Sequence, residues 1–127
     1  MSNWLLNLAG ELNIAAQEIH KHNKAVGFYT DLKTGGPLDR NIPEMLCLIH
    51  SEVSEAMEGY RKNLPDDKLT HRPMIEVELA DAIIRILDLS AYLNLDVGGA
   101  VQEKYEFNLN REDHKLENRL KENGKKF

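Results

Sequence analysis

Cysteine is almost missing from this chain. Cys47 stands alone, which excludes an intrachain disulfide and any Cys-based zinc site. Aromatic residues are also scarce, at 6%, so the core is expected to be aliphatic. No apolar stretch is long enough to span a bilayer, and Met1 to Gly10 contains no basic leader; no membrane association is expected, and a cytoplasmic location is. Neither sign of charge dominates. A formal charge of −5 argues against a surface that coats nucleic acid, but it leaves room for a small phosphorylated ligand whose charge a metal ion offsets. Glycine patterns of the phosphate-loop and dinucleotide-binding kinds are absent. No Glu is followed by His three residues later, so the Glu-x-x-His pairs of a di-iron bundle cannot form. His20, His22, His50, His71 and His114 are therefore read as surface or core residues.

What remains is an ordinary globular composition, 42% hydrophobic and 29% charged, over 127 residues. That length suits one domain spanning 1–127, with a charged tail over 112–127. Helical periodicity runs through it. Trp4, Leu5, Leu8, Leu12, Ala15, Ala16 and Ile19 recur at three- and four-residue steps, predicting a helix over about Asn3–Lys24, with Ser2 as its cap and Trp4 as a core anchor. Gly27, Gly35, Gly36 and Pro37 then break the pattern, and a long loop is expected over Val26–Arg40. Asn41-Ile42-Pro43-Glu44 reads as a helix start, with Leu46, Ile49, Val53, Ala56 and Tyr60 as the seam that follows. After a polar connection, Pro73 opens a helix that is apolar over most of its circumference and continues to about Asn94. Its narrow polar strip holds Glu78, Asp81, Arg85 and Asp88. So apolar a helix needs cover on several sides, and a second subunit is the expected source of some of it. Asp96 reads as the cap of a last helix, Val97–Leu109, in which Gly98 and Gly99 permit a close approach. The expected fold is all-α: a four-to-five-helix bundle with the second and third helices antiparallel.

Two acidic signatures lie within the apolar runs: Glu52-Val53-Ser54-Glu55 and Glu78-Leu79-Ala80-Asp81. Acids three residues apart stack on one side of a helix, about one turn apart. Projected at about 100° per residue, Glu52 falls inside the apolar arc of its helix, Glu55 at its edge, and Glu58 points away. Four acids on two core-forming helices repel one another and resist desolvation unless a cation lies between them. An all-oxygen donor set suits Mg²⁺, with Mn²⁺ as a substitute, and not zinc or copper. Lys104, Asn108 and Arg111 recur on one face of the last helix. On charge patterning alone the simpler account is a solvated face with Glu103 and Glu106 nearby; facing a magnesium cluster, two cations and an amide suggest a ligand with several phosphates.

With these residues in order, the chain resembles the all-α nucleoside triphosphate pyrophosphohydrolases, the MazG-like group related to dimeric dUTPases. The likeness rests on Glu52-x-x-Glu55, Glu78-x-x-Asp81, Asn41-Ile42-Pro43-Glu44, Leu79-Ala80-Asp81-Ala82 and Lys104-x-x-x-Asn108-x-x-Arg111. Gly27-Phe28-Tyr29 is similar to the loop after the first helix of short, phage-encoded members. Together these motifs cover roughly Leu12 to Arg111. Some relatives carry a further acid just before the first motif, where this chain has Ser51.

The resemblance implies Mg²⁺-dependent hydrolysis of a (deoxy)nucleoside triphosphate to its monophosphate and pyrophosphate, with dGTP suggested by phage members. Glu52, Glu55, Glu78 and Asp81 would hold the metal, with Glu55 orienting and deprotonating the attacking water. Lys104, Asn108 and Arg111 would bind phosphates, and Ile14, Gln17, Phe28 and Tyr29 would contact the base. A homodimer or dimer of dimers is the assembly implied. Two other readings stay open. One is an enzyme of the phosphoribosyl-ATP pyrophosphohydrolase kind; the other is a non-catalytic helical interaction module whose acids pair with Arg85, Arg61 or a partner.

Overall fold

A computed structural model describes residues 2–127. Among the described residues every regular element is helical, with five α-helices: α1 Asn3–Ala25, α2 Ile42–Lys62, α3 Met74–Tyr92, α4 Val97–Leu109 and the short α5 Leu116–Arg119. Among the described residues no helix is long and apolar enough to cross a membrane. The residues group into two compact units, one of 14–95 and one of 2–13 with 96–127.

In the 14–95 unit, α2 begins where Asn41 and Pro43 predict. Asn41 Oδ1 accepts a hydrogen bond from the Glu44 amide at 2.9 Å, and proline occupies the first turn, where its missing N–H costs nothing. The helix ends at Asn63, whose left-handed backbone (φ 51°) lets its amide bond back to the Gly59 and Tyr60 carbonyls. The connection to α3 is tied down by Asp66, a buried side chain whose Oδ2 accepts from the amides of Lys68 and Leu69. Those amides, Leu69 first, hold the Asp66 carboxyl below its ordinary value. α2 and α3 pack as antiparallel neighbours: Gly59 lies against Met74 at one end, and further along Arg85 meets Glu52.

The packed face of α2 keeps only part of the expected seam: Ala56 is buried and Ile49 packs on the core cluster, but Leu46, Val53 and Tyr60 do not join them. Met45, Glu52, Ala56 and Gly59 are buried, whereas Leu46, Val53, Met57 and Tyr60 are exposed. Gly59 explains the rotation. Without a side chain there, Met74 at the start of α3 occupies the space that a Cβ would fill, and α3 settles on the Met45–Gly59 side. A second exposed apolar row on α3, containing Leu79, Ile83 and Ile86, accompanies the first.

The loop after α1 is ordered by local bonds. Gly27 and Gly35 take positive φ, 95° and 76°, which a side chain would resist. Leu38 donates its amide to the Tyr29 carbonyl, and Asp31 bonds with Gly35 and Gly36 across the turn. Tyr29 is driven inward from this loop into a cluster with Met45 and Leu89, against which Ile42, Ile49 and Tyr92 pack.

In the other unit, Asp96 caps α4 through Oδ1, which accepts from the Gly99 amide at 2.8 Å and from Asn13 Nδ2 at 2.6 Å. These bonds, Asn13 first, keep the Asp96 carboxyl below its usual range. The Gly98 amide donates to Asn13 Oδ1, and α4 runs close beside α1 at this point. A Cβ on Gly98 would lie 2.1 Å from the Ala9 carbonyl oxygen, an overlap with rigid backbone. Gly98→Ala is therefore expected to destabilise the protein by about 2–3 kcal/mol, read from the midpoint of a urea melt. Trp4, expected as a core anchor, is instead 54% exposed and touches the edge of Tyr105. The tail forms a 3₁₀ turn, Glu112–His114, then α5, after which Arg119 donates to the carbonyls of Lys125 and Lys126.

Candidate functional site

The acids of α2 and α3 converge. Glu52, Glu55 and Glu78 each bring a carboxylate oxygen within 4.8 Å of the other two, a spacing at which one cation can be shared. Glu52 is the deepest, 7% exposed; Glu78 is half-buried and Glu55 open to solvent. Asp81, one turn beyond Glu78 on α3, stands outside that group of three, yet it lines the same cavity as Glu52. Glu58, which the helical projection turns away from the cluster, pairs with Lys62 and Arg61 on its own helix.

The cluster is electrostatically tense. Burial, followed by the neighbouring Glu52 and Glu55, pushes the Glu78 carboxyl up to about 7. Glu52 raises Glu55, and burial with the Glu52 charge raises Asp81. Glu52 itself goes the other way. Burial opposes its charge, but hydrogen bonds from Arg85, Glu78 and Glu55 hold it below its ordinary value. Arg85 Nε donates to Glu52 Oε1 at 2.7 Å. One guanidinium therefore serves several carboxylates, and part of the group can stay neutral near pH 7 only by keeping protons. An oxygen-only set of this kind, short of positive charge, fits a hard divalent cation such as Mg²⁺ or Mn²⁺.

A cavity of about 400 Å³ opens beside Glu52 and Asp81. It is walled by Met45 and Leu48 of α2, by Ile84, Arg85 and Asp88 of α3, by Asn23 of α1, and by Phe28 and Arg40 of the loop. The size and the mixture of apolar walls with a few polar groups are those of a small-molecule site. Of the residues expected to contact a base, Phe28 lines this cavity. Tyr29 is packed beside it, its ring edge-on to His20 and Tyr92 at 4.7 Å and under the Arg40 guanidinium. Ile14 and Gln17 are exposed on α1 and do not line the cavity.

Asp88 is the cavity residue that the sequence pattern conceals. It belongs to the polar strip of α3, but only 8% of it is exposed. Tyr29 donates its hydroxyl to Asp88 Oδ2 at 2.6 Å, and His20 Nδ1 lies 2.9 Å from Oδ1. A carboxylate only accepts, so the His20 proton sits on Nδ1. Burial, then the bond to Asp88, raises the Tyr29 phenol well above its ordinary value and keeps its proton in place. The partners come from 59 and 68 residues away in sequence, so no local spacing announces them.

Lys104, Asn108 and Arg111 belong to the other unit. The Lys104 ammonium sits 4.9 Å over the Phe107 ring, and Arg111 forks onto both oxygens of Asp113, at 2.9 and 2.7 Å. Asn108 Oδ1 is buried without a hydrogen-bond partner. Set beside known proteins, the chain matches no family model, no curated protein and no solved structure.

Proposed function

We propose that this protein is a Mg²⁺-dependent pyrophosphohydrolase of (deoxy)nucleoside triphosphates. The observation that carries the reading is the meeting of Glu52, Glu55 and Glu78 from two helices, next to a cavity large enough for a small organic ligand. Glu52, Glu55 and Glu78, with Asp81 beside them, would hold the metal. Bound there, Mg²⁺ would neutralise phosphate oxygens and make a nearby water more acidic.

The residues supply the rest of the chemistry. Glu55, solvent-facing and with its affinity for protons raised by Glu52, takes a proton from the attacking water. The water oxygen bonds to the α-phosphorus as the bond from that phosphorus to the bridging oxygen breaks; pyrophosphate departs and the monophosphate keeps the new oxygen. Arg85, held by Glu52 at the cavity wall, is positioned to meet phosphate charge. Lys104, Asn108 and Arg111 enter this reading on the resemblance alone. The exposed rows of α2 and α3 fit a self-association face, so a second copy of the chain is the proposed cover for them.

A panel of nucleoside triphosphates incubated with Mg²⁺ and scored for both products tests the assignment. Monophosphate and pyrophosphate in equal amounts are expected from at least one deoxynucleoside triphosphate, dGTP foremost. Release of inorganic phosphate alone, or no turnover of any triphosphate, would overturn it. Cleavage confined to a phosphoribosyl-nucleotide would move the chain to the competing enzyme class. The non-catalytic reading draws on the Arg85–Glu52 pair, since a single interhelical ion pair also fixes register. It leaves Glu55 and Glu78 uncompensated, which is why the metal reading is preferred.

A further inference from the structure

The cavity has two ends. Glu52 and Asp81 mark one of them. Asp88, seven residues beyond Asp81 on the same helix and so about 10 Å further along its axis, marks the other. A buried carboxylate bordering a cavity is costly unless its lone pairs are used. A carboxylate offers about four acceptor positions. Tyr29 and His20 fill one on each oxygen, which leaves one on each oxygen of a side chain that lines the cavity. The tyrosine and histidine also lock the carboxylate in place, because both are themselves packed, edge to face with each other.

We propose that Asp88 is the specificity-determining residue of the cavity, reading the 2-amino and N1–H donors of a guanine base through its two remaining acceptor positions. The inference rests on the reading of the cavity as a nucleotide site and deepens it by assigning a residue to base recognition. Guanine presents two adjacent donors followed by the 6-oxo acceptor. Asp88 matches the two donors, and Arg40, which lines the same cavity from the loop, supplies N–H groups for the oxygen. The other bases are rejected by the same carboxylate. Adenine and cytosine set a ring-nitrogen acceptor beside their amine, and uracil and thymine flank their single N–H with carbonyls, so each brings a lone pair against a fixed negative charge. Hypoxanthine keeps N1–H but lacks the second donor.

Binding of monophosphates without metal tests this apart from any turnover. By calorimetric titration, wild-type protein is expected to bind dGMP about tenfold or more tightly than dIMP, and more tightly again than dTMP. Asp88→Asn preserves shape and presents an N–H where guanine also presents one; it should lose about tenfold or more in dGMP affinity and leave dTMP within about threefold. Wild-type protein that binds dGMP and dIMP equally, or does not bind dGMP, overturns the proposal, and neither result depends on a variant that folds. A folded Asp88→Asn that keeps full dGMP affinity overturns it as well. Guanine preference in the absence of triphosphate hydrolysis would sustain the base assignment while sinking the reaction; hydrolysis without base preference would do the reverse.

Discussion

Glu52→Gln should abolish hydrolysis while leaving a folded protein. The expected loss is on the order of 10³-fold or more in kcat, the scale of removing a group that acts with others as a unit. Glu52 is the most deeply placed of the three converging acids, and it is the one that Arg85 binds. Replacing a carboxylate by its isosteric amide keeps the volume and an acceptor for Arg85 Nε, so the α2–α3 contact should survive. It removes the charge on which cation binding depends. Activity against the best triphosphate, taken at saturating Mg²⁺ alongside circular dichroism of the variant, checks both halves. A variant that turns over near the wild-type rate would show that the cluster is not the catalytic centre. Glu58→Gln is the matched control. Glu58 pairs only with Lys62 and Arg61 on its own helix, and its loss should leave the rate unchanged.

Millimolar Mg²⁺ should raise the melting temperature by roughly 8–15 °C at pH 7.5, and by much less at pH 5. The first figure follows from mass action: a ligand present at about 100 times its Kd stabilises the native state by about 2.7 kcal/mol, and a domain of this size gains several degrees per kcal/mol. The pH dependence follows from the protons that the cluster holds when no metal is bound. The Glu78 carboxyl, ordinarily at 4.5, is pushed up to about 7, chiefly by burial. Between those values the native chain keeps a proton that the unfolded chain has released. Metal-free stability therefore falls as pH rises from 4.5 to 7, and levels off above. Glu55 and Asp81, also raised, act in the same direction. Glu52 is lowered, so its contribution is present above its ordinary value and is lost as pH falls below it. A cation competes with the protons on Glu78, Glu55 and Asp81, which explains why its benefit should grow over the window in which those protons leave. Melting curves at pH 5, 6, 7 and 7.5, with Mg²⁺ or with a chelator, measure the effect. Equal curves in both at pH 7.5 would count against a bound cation.

Much of the helical layout is legible in short stretches of residues, because caps and breakers act locally. Asn41, Pro43 and Glu44 mark the start of α2 to the residue, and Asp96 marks α4 equally well. The closeness of the two acidic motifs also follows from simple physics. Acids at three-residue spacing share one side of each helix, and on these antiparallel neighbours Glu52, Glu55 and Glu78 meet while Asp81, one turn on, stands apart. Facing is harder to read. The expected seam of Leu46, Ile49, Val53, Ala56 and Tyr60 is as regular as the buried set of Met45, Glu52, Ala56 and Gly59, and shares only Ala56 with it; the bare glycine under Met74 is what favours the second. Periodicity records only that a stripe is apolar; whether α3, solvent or a second copy covers it depends on packing across the whole unit. The burial of Asp88 is less legible still. A helix with Glu78, Asp81, Arg85 and Asp88 in one strip gives no sign that the last of them is buried, since its burial is set by Tyr29 and His20 folding over it from α1 and the loop. Trp4 shows the converse: a lone tryptophan at a core-like position is 54% exposed, its ring meeting Tyr105 edge to face.

The central claim is that carboxylates from α2 and α3 share one hard cation. Diffraction from crystals grown with Mn²⁺, recorded at a wavelength where manganese scatters anomalously, tests it most directly. An anomalous peak among Glu52, Glu55 and Glu78, with carboxylate oxygens about 2.0–2.3 Å away, is the predicted result. No peak there at millimolar Mn²⁺, with Arg85 still on Glu52 and the other acids turned to solvent, would contradict the account.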